Sequence, residues 1–223
     1  MVKTMGTAKV MGFMLFRKRV YAACGLAAIL LSCACTGGGQ PFDSYVLSLS
    51  WSPQHCAETS DTSAECTGTR TYGFVLHGLW PEPAGGRGPQ HCAGAAFDAS
   101  QVTDELRGIM PSDRLIEHEW ETHGTCSGMN QTDYFRTAEH AFQMVKIPPA
   151  FQPPVSRIET TPREVHRQFA EANSDFPTEA FAVKDDGRFL QEVRVCLTSD
   201  LKPRDCARPS DTRDKTIVVR PVR

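Results

Sequence analysis

Apolar and small polar residues alternate in short stretches along this chain, a pattern of period two that predicts β-strands. Residues 45–51 (YVLSLSW) show this alternation first. Residues 72–79 form a short apolar run of the kind found in buried strands, and Trp80-Pro81 is expected to end it. The predicted strands are residues 45–51, 72–79, 189–197 and 215–220.

Helical signals lie between these strands. The sequence Thr161-Pro162-Arg163-Glu164 combines an N-cap, a first-turn proline and a capping glutamate, which predicts a helix to about Asn173. Polar residues 57–70 and the Gly- and Pro-rich residues 82–94 are expected to be loops. The other predicted helices are residues 102–107, 113–123 and 132–146. Since these elements follow no regular βαβ order and no repeat, we expect one α+β domain with an antiparallel sheet.

The first 35 residues differ from the rest. A basic patch at residues 17–19 precedes twelve mostly apolar residues, 20–31, and small residues follow. These are the features of a secretory signal, and the apolar run is short for a membrane span of about 20 residues. The flanks disfavour the alternative of a buried helix. We therefore expect an export signal over residues 1–35 and a single catalytic domain over residues 36–223.

The processing site of this signal has two interpretations. Ser32-Cys33-Ala34 fits a small-x-small cut before Cys35, which would release the protein. Residues 30–33 also resemble, imperfectly, a bacterial lipoprotein box in which Cys33 carries the lipid. The protein is accordingly expected to be exported, either periplasmic or secreted, or held at the membrane as a lipoprotein. Met14 as the start would give a more ordinary signal length.

Composition and charge narrow the class of protein. The chain has 223 residues, 40% of them hydrophobic and 22% charged, which is typical of a globular protein and excludes disordered, collagen-like and multi-span membrane chains. Residues 1–32 contain five positive and no negative charges, so their removal takes the net charge from -2 to -7. A polyanionic substrate must therefore be held by a local site and not by bulk charge.

The cysteines agree with export. Six of the nine follow residue 35, and an even number in an exported chain indicates three disulfides. No C-x-x-C occurs, which disfavours a zinc knuckle or a thioredoxin-like site. Six cysteines allow 15 pairings. Proximity in sequence favours Cys56–Cys66 and Cys196–Cys206, which leaves Cys92–Cys126.

Two segments carry titratable side chains in patterns that suggest chemistry. In FVLHGLWP (residues 74–81), an apolar run delivers His77 beside Gly78, which permits close approach, and Trp80, which can stack on a nucleobase. The alternative is a core histidine beside a core tryptophan. Both interpretations remain open for this segment taken alone.

The second segment is LIEHEWETHGTC (residues 115–126). On a helix, Glu119 and His123 are i,i+4 neighbours, and His118 lies near the same edge. The alternative is a solvated acidic helix face. A zinc site is disfavoured, because the residue four positions after His118 is Thr122 and not a second histidine.

Taken together, the two segments point to phosphoryl chemistry. In-line displacement at phosphorus needs one group to remove a proton from the attacking hydroxyl and another to protonate the leaving oxygen, and histidine can do either. No metal or other cofactor is required if side chains supply the charge stabilisation. A hydroxyl next to the phosphodiester occurs in RNA and is missing in DNA. RNA is thus the expected partner, and no DNA cleavage is expected.

These segments resemble the two signature segments of the ribonuclease T2 family, and LSWSPQHC (residues 49–56) is similar to its first strand and following cysteine. The resemblance covers most of residues 42–208 and the six later cysteines. It implies an α+β fold and a metal-independent endoribonuclease of low base specificity. Such an enzyme cuts single-stranded RNA through a 2′,3′-cyclic phosphate to 3′-phosphates, with an acid-leaning pH range in many relatives.

The resemblance also implies a role for each matching residue. His123 is expected to act as general base, His77 as general acid, and Glu119 as the stabiliser of the pentacovalent transition state. His118 is expected to bind phosphate, and Trp80 to form part of a base pocket. We expect a monomer. Four histidines match no family role and are expected to be ordinary surface or loop residues: His55, His91, His140 and His166.

One position departs from the family pattern. Thr122 stands where the family usually has a lysine, which removes a cation expected near the phosphorane. Whether Arg114, Arg87 or another residue compensates stays open in the sequence. The main alternative function is therefore a catalytically impaired RNA-binding protein on the same scaffold.

Overall fold

A computed structural model of the protein describes residues 42–84, 86–153, 156–208 and 214–222, so the expected export signal and Cys33 lie outside the described residues. These residues form strands β1 Ser44–Trp51, β2 Phe74–Glu82, β3 Ile158–Thr160, β4 Phe181–Asp185, β5 Leu190–Thr198 and β6 Ile217–Val219. They also form helices α1 Ser52–Glu58, α2 Ala64–Thr67, α3 Asp104–Ile109, α4 Asp113–Thr122, α5 Gln131–Met144 and α6 Pro162–Ala172. Within those ranges, no helix has the length and apolar character that a membrane crossing requires.

The principal sheet has four strands in the order β2-β1-β5-β4, with every neighbouring pair antiparallel. Strands β3 and β6 form a separate antiparallel pair. The α+β architecture with an antiparallel sheet is therefore confirmed. Strand β1 pairs with a neighbour along both edges, and its side chains are buried on both faces, so that even the small polar Ser48 is fully buried.

The core lies between this sheet and the helices. Trp51 and Phe74, on adjacent strands, meet edge to face at 5.0 Å between ring centroids, and Phe169 of α6 meets Phe74 at 5.4 Å. Trp120 of α4 and Tyr134 of α5 are both 1% exposed. The aromatic side chains thus join the helices to the sheet, which gives α4 a fixed position beside β2.

Two predictions about local structure were wrong. Strand β2 does not end at Trp80-Pro81 but continues to Glu82. It can do so because β2 is an edge strand, where a proline without an N–H group costs no ladder hydrogen bond. The start of the predicted loop at residues 57–70 belongs to α1, and α2 lies inside it. The short strands β3 and β4 were not predicted.

The three disulfides are the two favoured by proximity in sequence and the pair that those two leave. Their Cα–Cα distances are 5.0–5.3 Å, within the range for disulfides. Cys92–Cys126 joins the loop after β2 to the turn after α4. Since β2 and α4 carry the two histidine segments, this bond ties together the chain on either side of the candidate site. The pairs are Cys56–Cys66, Cys92–Cys126 and Cys196–Cys206.

Candidate active site

The two histidine segments meet beside one indole ring. His77 and Trp80 lie on β2, with their ring centroids 5.3 Å apart. The ring centroids of His123 and Trp80 are 5.4 Å apart. The Nε1–H of Trp80 donates to Oε2 of Glu119 at 2.8 Å. The other carboxyl oxygen, Oε1, is 3.5 Å from Nε2 of His77. The structure therefore brings His77, Trp80, Glu119 and His123 into one site.

A β-bulge turns His77 towards this site. Gly78 pairs with Ser48, and Leu76 with the next residue Leu49, so His77 is the extra residue of β2 at this point. A bulge changes the direction in which a side chain leaves a strand. The side chain of His77 remains one-third exposed, which leaves it accessible to substrate.

Helix α4 places Glu119 and His123. Its N-cap is Ser112, whose side chain accepts a hydrogen bond from the N–H of Leu115. The helix ends at Thr122, and the N–H of His123 donates to the carbonyl of Glu119 at 3.0 Å, which closes the last turn. The predicted i,i+4 relation between Glu119 and His123 is thus present, with His123 immediately beyond the helix.

Gly78 is necessary because Glu119 approaches the backbone of β2 closely. A Cβ atom at residue 78 would lie 1.9 Å from Oε2 of Glu119 and 2.6 Å from Nε1 of Trp80. Any larger residue would displace the Glu119–Trp80 hydrogen bond. The group that approaches Gly78 is therefore a side chain, the Glu119 carboxyl, whereas the sequence predicted an approach of backbone or substrate.

Burial sets the protonation of the Glu119 carboxyl. The residue is 1% exposed, and this desolvation raises the pKa of Glu119 from 4.5 to about 8, with a smaller raising effect of Glu192. The hydrogen bond from Trp80 acts in the opposite direction but is weaker. At neutral pH the group is therefore mainly a neutral carboxylic acid, which can donate a hydrogen bond to an anionic oxygen.

Burial also keeps His123 neutral. Burial has the largest effect, and with the smaller effects of the charges of His118, His77 and His91 it lowers the pKa of His123 from 6.5 to about 4. Its Nδ1 is buried without a hydrogen-bond partner among the described residues. A neutral imidazole at pH 5–7 can accept a proton, as a general base must.

An open cleft of about 520 Å³ adjoins Trp80 and His123. Arginines line it, and the guanidinium of Arg194 lies 4.9 Å from the centroid of the Trp80 ring. These side chains place local positive charge around the site of a chain whose net charge is negative. The lining cations are Arg87, Arg194 and Arg208.

Comparison with known proteins identifies the family. The family model described as "Ribonuclease T2 family" matches residues 42–206. A ribonuclease of Aeromonas hydrophila is 42% identical over 179 residues, which cover 74% of this chain and 75% of that protein. This chain belongs to the ribonuclease T2 family. A probable ribonuclease of Haemophilus influenzae is 33% identical over 123 residues, 48% of this chain and 45% of that protein.

Solved structures of similar proteins share the fold. An RNase-related protein from Calystegia sepium superimposes with a TM-score of 0.69 at 22% identity, covering 82% of this chain and 98% of that chain. A mutant of RNase MC1 in complex with 5′-UMP superimposes with a TM-score of 0.62 at 26% identity, covering 79% and 97%. The α+β architecture described above is thus that of T2 ribonucleases.

His118 lies apart from the cleft of this T2 ribonuclease. It lines a second cavity, of about 380 Å³, together with Arg114 and His55. Its Nδ1 is 3.4 Å from Oγ1 of Thr122, which is 4% exposed. Of the two arginines considered as substitutes for the missing lysine, Arg87 lies in the cleft of His123 and Arg114 in the cavity of His118.

The other histidines have mixed surroundings. His91 and His140 are exposed, as expected. His166, on α6, is only 7% exposed, so the expectation of a surface residue was wrong: its side chain lies on the helix face that packs inward. His55 lies within metal-binding distance of Asp61 and Cys66, but that sulfur is bonded to Cys56 and is not available as a thiolate ligand.

Three polar residues at the site of this T2 ribonuclease were not predicted from the sequence. Ser50 lies on β1, and Glu192 and Arg194 lie on β5, all close to His77 or Trp80. No motif marks them. Residues 189–197 alternate like any half-buried strand, and only the pairing of β5 with β1 brings their polar side chains to the site.

Proposed function

We propose that this endoribonuclease cleaves single-stranded RNA without a metal, through a 2′,3′-cyclic phosphate to 3′-phosphate products and with little selectivity among bases. The observation that carries the proposal is that His77 and His123 both pack against Trp80, with ring centroids 5.3 and 5.4 Å from it, and that Glu119 lies beside them. Two imidazoles at one site can perform the two proton transfers that displacement at phosphorus requires.

In the first step, Nε2 of neutral His123 accepts the proton of the ribose 2′-OH, because Nδ1 is buried. The 2′-oxygen bonds to phosphorus, the bond from phosphorus to the 5′-oxygen breaks, and protonated His77 gives its Nε2 proton to that oxygen. The products are a 2′,3′-cyclic phosphate and a 5′-hydroxyl. DNA lacks the 2′-OH and is not a substrate.

In the second step the roles are exchanged. His77 takes a proton from water, the water oxygen bonds to phosphorus, and the bond to the 2′-oxygen breaks as His123 returns its proton there. A 3′-phosphate results, and both histidines recover their initial protonation.

Neutral and cationic side chains stabilise the charge that develops on phosphorus. Glu119 donates a hydrogen bond from its carboxylic acid to a non-bridging oxygen, a role for which its raised pKa suits it. Arg87, Arg194 and Arg208 provide the positive charge that Thr122 does not. Trp80 offers an indole face for a base, and His118 binds another phosphate of the RNA from its separate cavity.

The protein works outside the cytoplasm in this proposal. The segment of residues 1–35 directs export, as a free monomer cut before Cys35 or as a lipoprotein anchored at Cys33. Mass measurement of the mature N-terminus distinguishes the two forms.

The proposed reaction predicts the result of a simple assay. Purified mature protein should convert single-stranded RNA into fragments ending in 2′,3′-cyclic phosphate and then 3′-phosphate, at the same rate with and without a chelator. Mass spectrometry of the products identifies the ends. Loss of activity on chelation would support a metal hydrolase and contradict the proposal.

A catalytically impaired RNA-binding protein is the second candidate. Thr122 favours it, and a ribonuclease-like storage protein of Panax ginseng is 36% identical over 123 residues, 48% of this chain and 50% of that protein. Retention of RNA without cleavage in the same assay would establish it. The proximity of His77, Glu119 and His123 favours the enzyme.

The protonation of the two histidines predicts an acidic pH optimum. With its pKa near 4, His123 loses its function as a base only as the pH falls through about 4. Burial lowers the pKa of His77 below 6.5, so the protonated acid is depleted as the pH rises towards neutrality. The measurement is kcat/KM for a dinucleotide from pH 3 to 9, and we expect a bell lying below about pH 6.5. A plateau extending to pH 8 would contradict this assignment.

A further inference from the structure

A second buried carboxyl group lies behind His77, on the side away from Glu119. Oε2 of Glu192 is 3.8 Å from Nδ1 of His77, and Oγ of Ser50 is 3.0 Å from the same nitrogen. Glu119 faces the other nitrogen, Nε2, at 3.5 Å. The imidazole of His77 is therefore held between two carboxyl groups, one on each ring nitrogen.

The register of the sheet puts Glu192 in this place. Glu192 of β5 is directly opposite Ser50 of β1, and Arg194 is opposite Ser48, so all four side chains share one face of the sheet. Oγ of Ser48 donates to Oε2 of Glu192 at 2.5 Å. Glu192 is 9% exposed, and its carboxylate is consequently fixed and little hydrated.

The two oxygens of Glu192 have different partners. Oε1 accepts a hydrogen bond from Nε of Arg194 at 2.7 Å, while Oε2 faces Ser48 and His77. Glu192 and Arg194 thus form an ion pair within β5. This ion pair holds the guanidinium over the ring of Trp80.

We propose that Glu192 is the positioning residue of His77: together with Ser50 it holds Nδ1, directs Nε2 towards Glu119, and stabilises the positively charged ring that donates a proton to the leaving 5′-oxygen. This inference rests on the proposed role of His77 as general acid. A carboxylate that orients a catalytic imidazole and stabilises its charged form is a general arrangement in acid–base catalysis.

The charged groups around His77 determine the direction in which each substitution should shift its pKa. Burial lowers the pKa of His77 most, Glu192 raises it, and Arg194, His55 and His118 lower it. Two further neighbours, Glu119 and His123, are mainly neutral at pH 7. Removing the charge of Glu192 should therefore shift the alkaline limb of the activity profile to lower pH, whereas removing the charge of Arg194 should shift it to higher pH.

The test compares two substrates with each variant. The dinucleotide UpA has a poor leaving group that needs a proton, whereas uridine 3′-(4-nitrophenyl phosphate) has a leaving group that needs none. For Glu192→Gln we expect kcat on UpA to fall by about 10–100-fold, with an alkaline limb at lower pH, and kcat on the nitrophenyl ester to change less than about twofold. The ester thus also reports whether the variant is folded.

The controls separate this inference from the function on which it rests. His77→Ala should also lose activity on UpA and keep it on the ester; if it affects both substrates equally, the role of His77 itself is wrong. If His77→Ala discriminates and Glu192→Gln does not, only the role of Glu192 is wrong. Arg194→Met should shift the alkaline limb upwards. A downward shift like that of Glu192→Gln would show that Glu192 acts through Arg194, and would also overturn the proposal.

Discussion

Replacing His123 with alanine should lower kcat for cleavage of single-stranded RNA by about 10²–10⁴-fold, the usual value of one general-base transfer. The imidazole is kept neutral by burial and lies beside Trp80 and the arginine-lined cleft, and no other described histidine lines that cleft. His77→Ala should lose activity to a similar extent, because the 5′-oxygen then leaves without a proton. The measurement is single-turnover cleavage of a labelled oligonucleotide at pH 5.5.

The double variant distinguishes joint action from independent contributions. Since the base and the acid act in one displacement, His77→Ala combined with His123→Ala should be little slower than either single variant. His140→Ala is the matched control, because His140 is exposed on α5 and belongs to no part of the site. Substantial residual cleavage by either single variant would contradict the mechanism.

Glu119→Gln should make the protein more stable at pH 8 while leaving its stability at low pH nearly unchanged. The folded carboxyl has a pKa of about 8, against 4.5 for an unperturbed glutamate. The unfolded chain therefore ionises first, and the stability contributed by the neutral carboxyl, fully present below pH 4.5, is lost as the pH rises through about 8. The amide does not ionise and keeps an oxygen for the Nε1–H of Trp80.

This change in protonation corresponds to about 3–5 kcal/mol in the free energy of unfolding, or roughly 10 °C in Tm for a domain of this size. Thermal unfolding of both proteins at pH 4.5 and pH 8 measures it. The gain should appear at pH 8 only. Equal gains at both values, or a loss at pH 8, would mean that the buried carboxyl is ionised in the folded protein.

Much of the site follows from local sequence. The spacing of Glu119 and His123 predicts their common position at the end of α4, because the helical repeat is independent of the rest of the chain. Cys56–Cys66 and Cys196–Cys206 are predictable because each pair is separated by only 10 residues, and short loops close with little loss of entropy. Gly78 indicates a close approach without showing what approaches.

Other features depend on residues far apart in the chain. Strand β2 continues through Pro81 only because it is at the edge of the sheet. Similarly, Glu192 reaches His77 because β5 pairs with β1, and its hydrogen bond from Ser48 spans 144 residues of sequence. The alternation in residues 189–197 contains no information about that pairing. His118 likewise belongs to the second histidine segment, and yet in the folded protein its side chain lines a separate cavity.

The sequence alone therefore predicted the strand and helix segments that carry the two histidine motifs, the favoured disulfide pairs and the residue types proposed as an acid–base pair, since periodicity, loop length and side-chain identity are local properties. Only the tertiary structure decided that a bulge turns His77 towards Glu119, that Glu119 is neutral and that Glu192 and Arg194 complete the site. The physical reason is that burial and strand register arise from contacts between distant segments, and these contacts set both the direction of a side chain and its affinity for a proton.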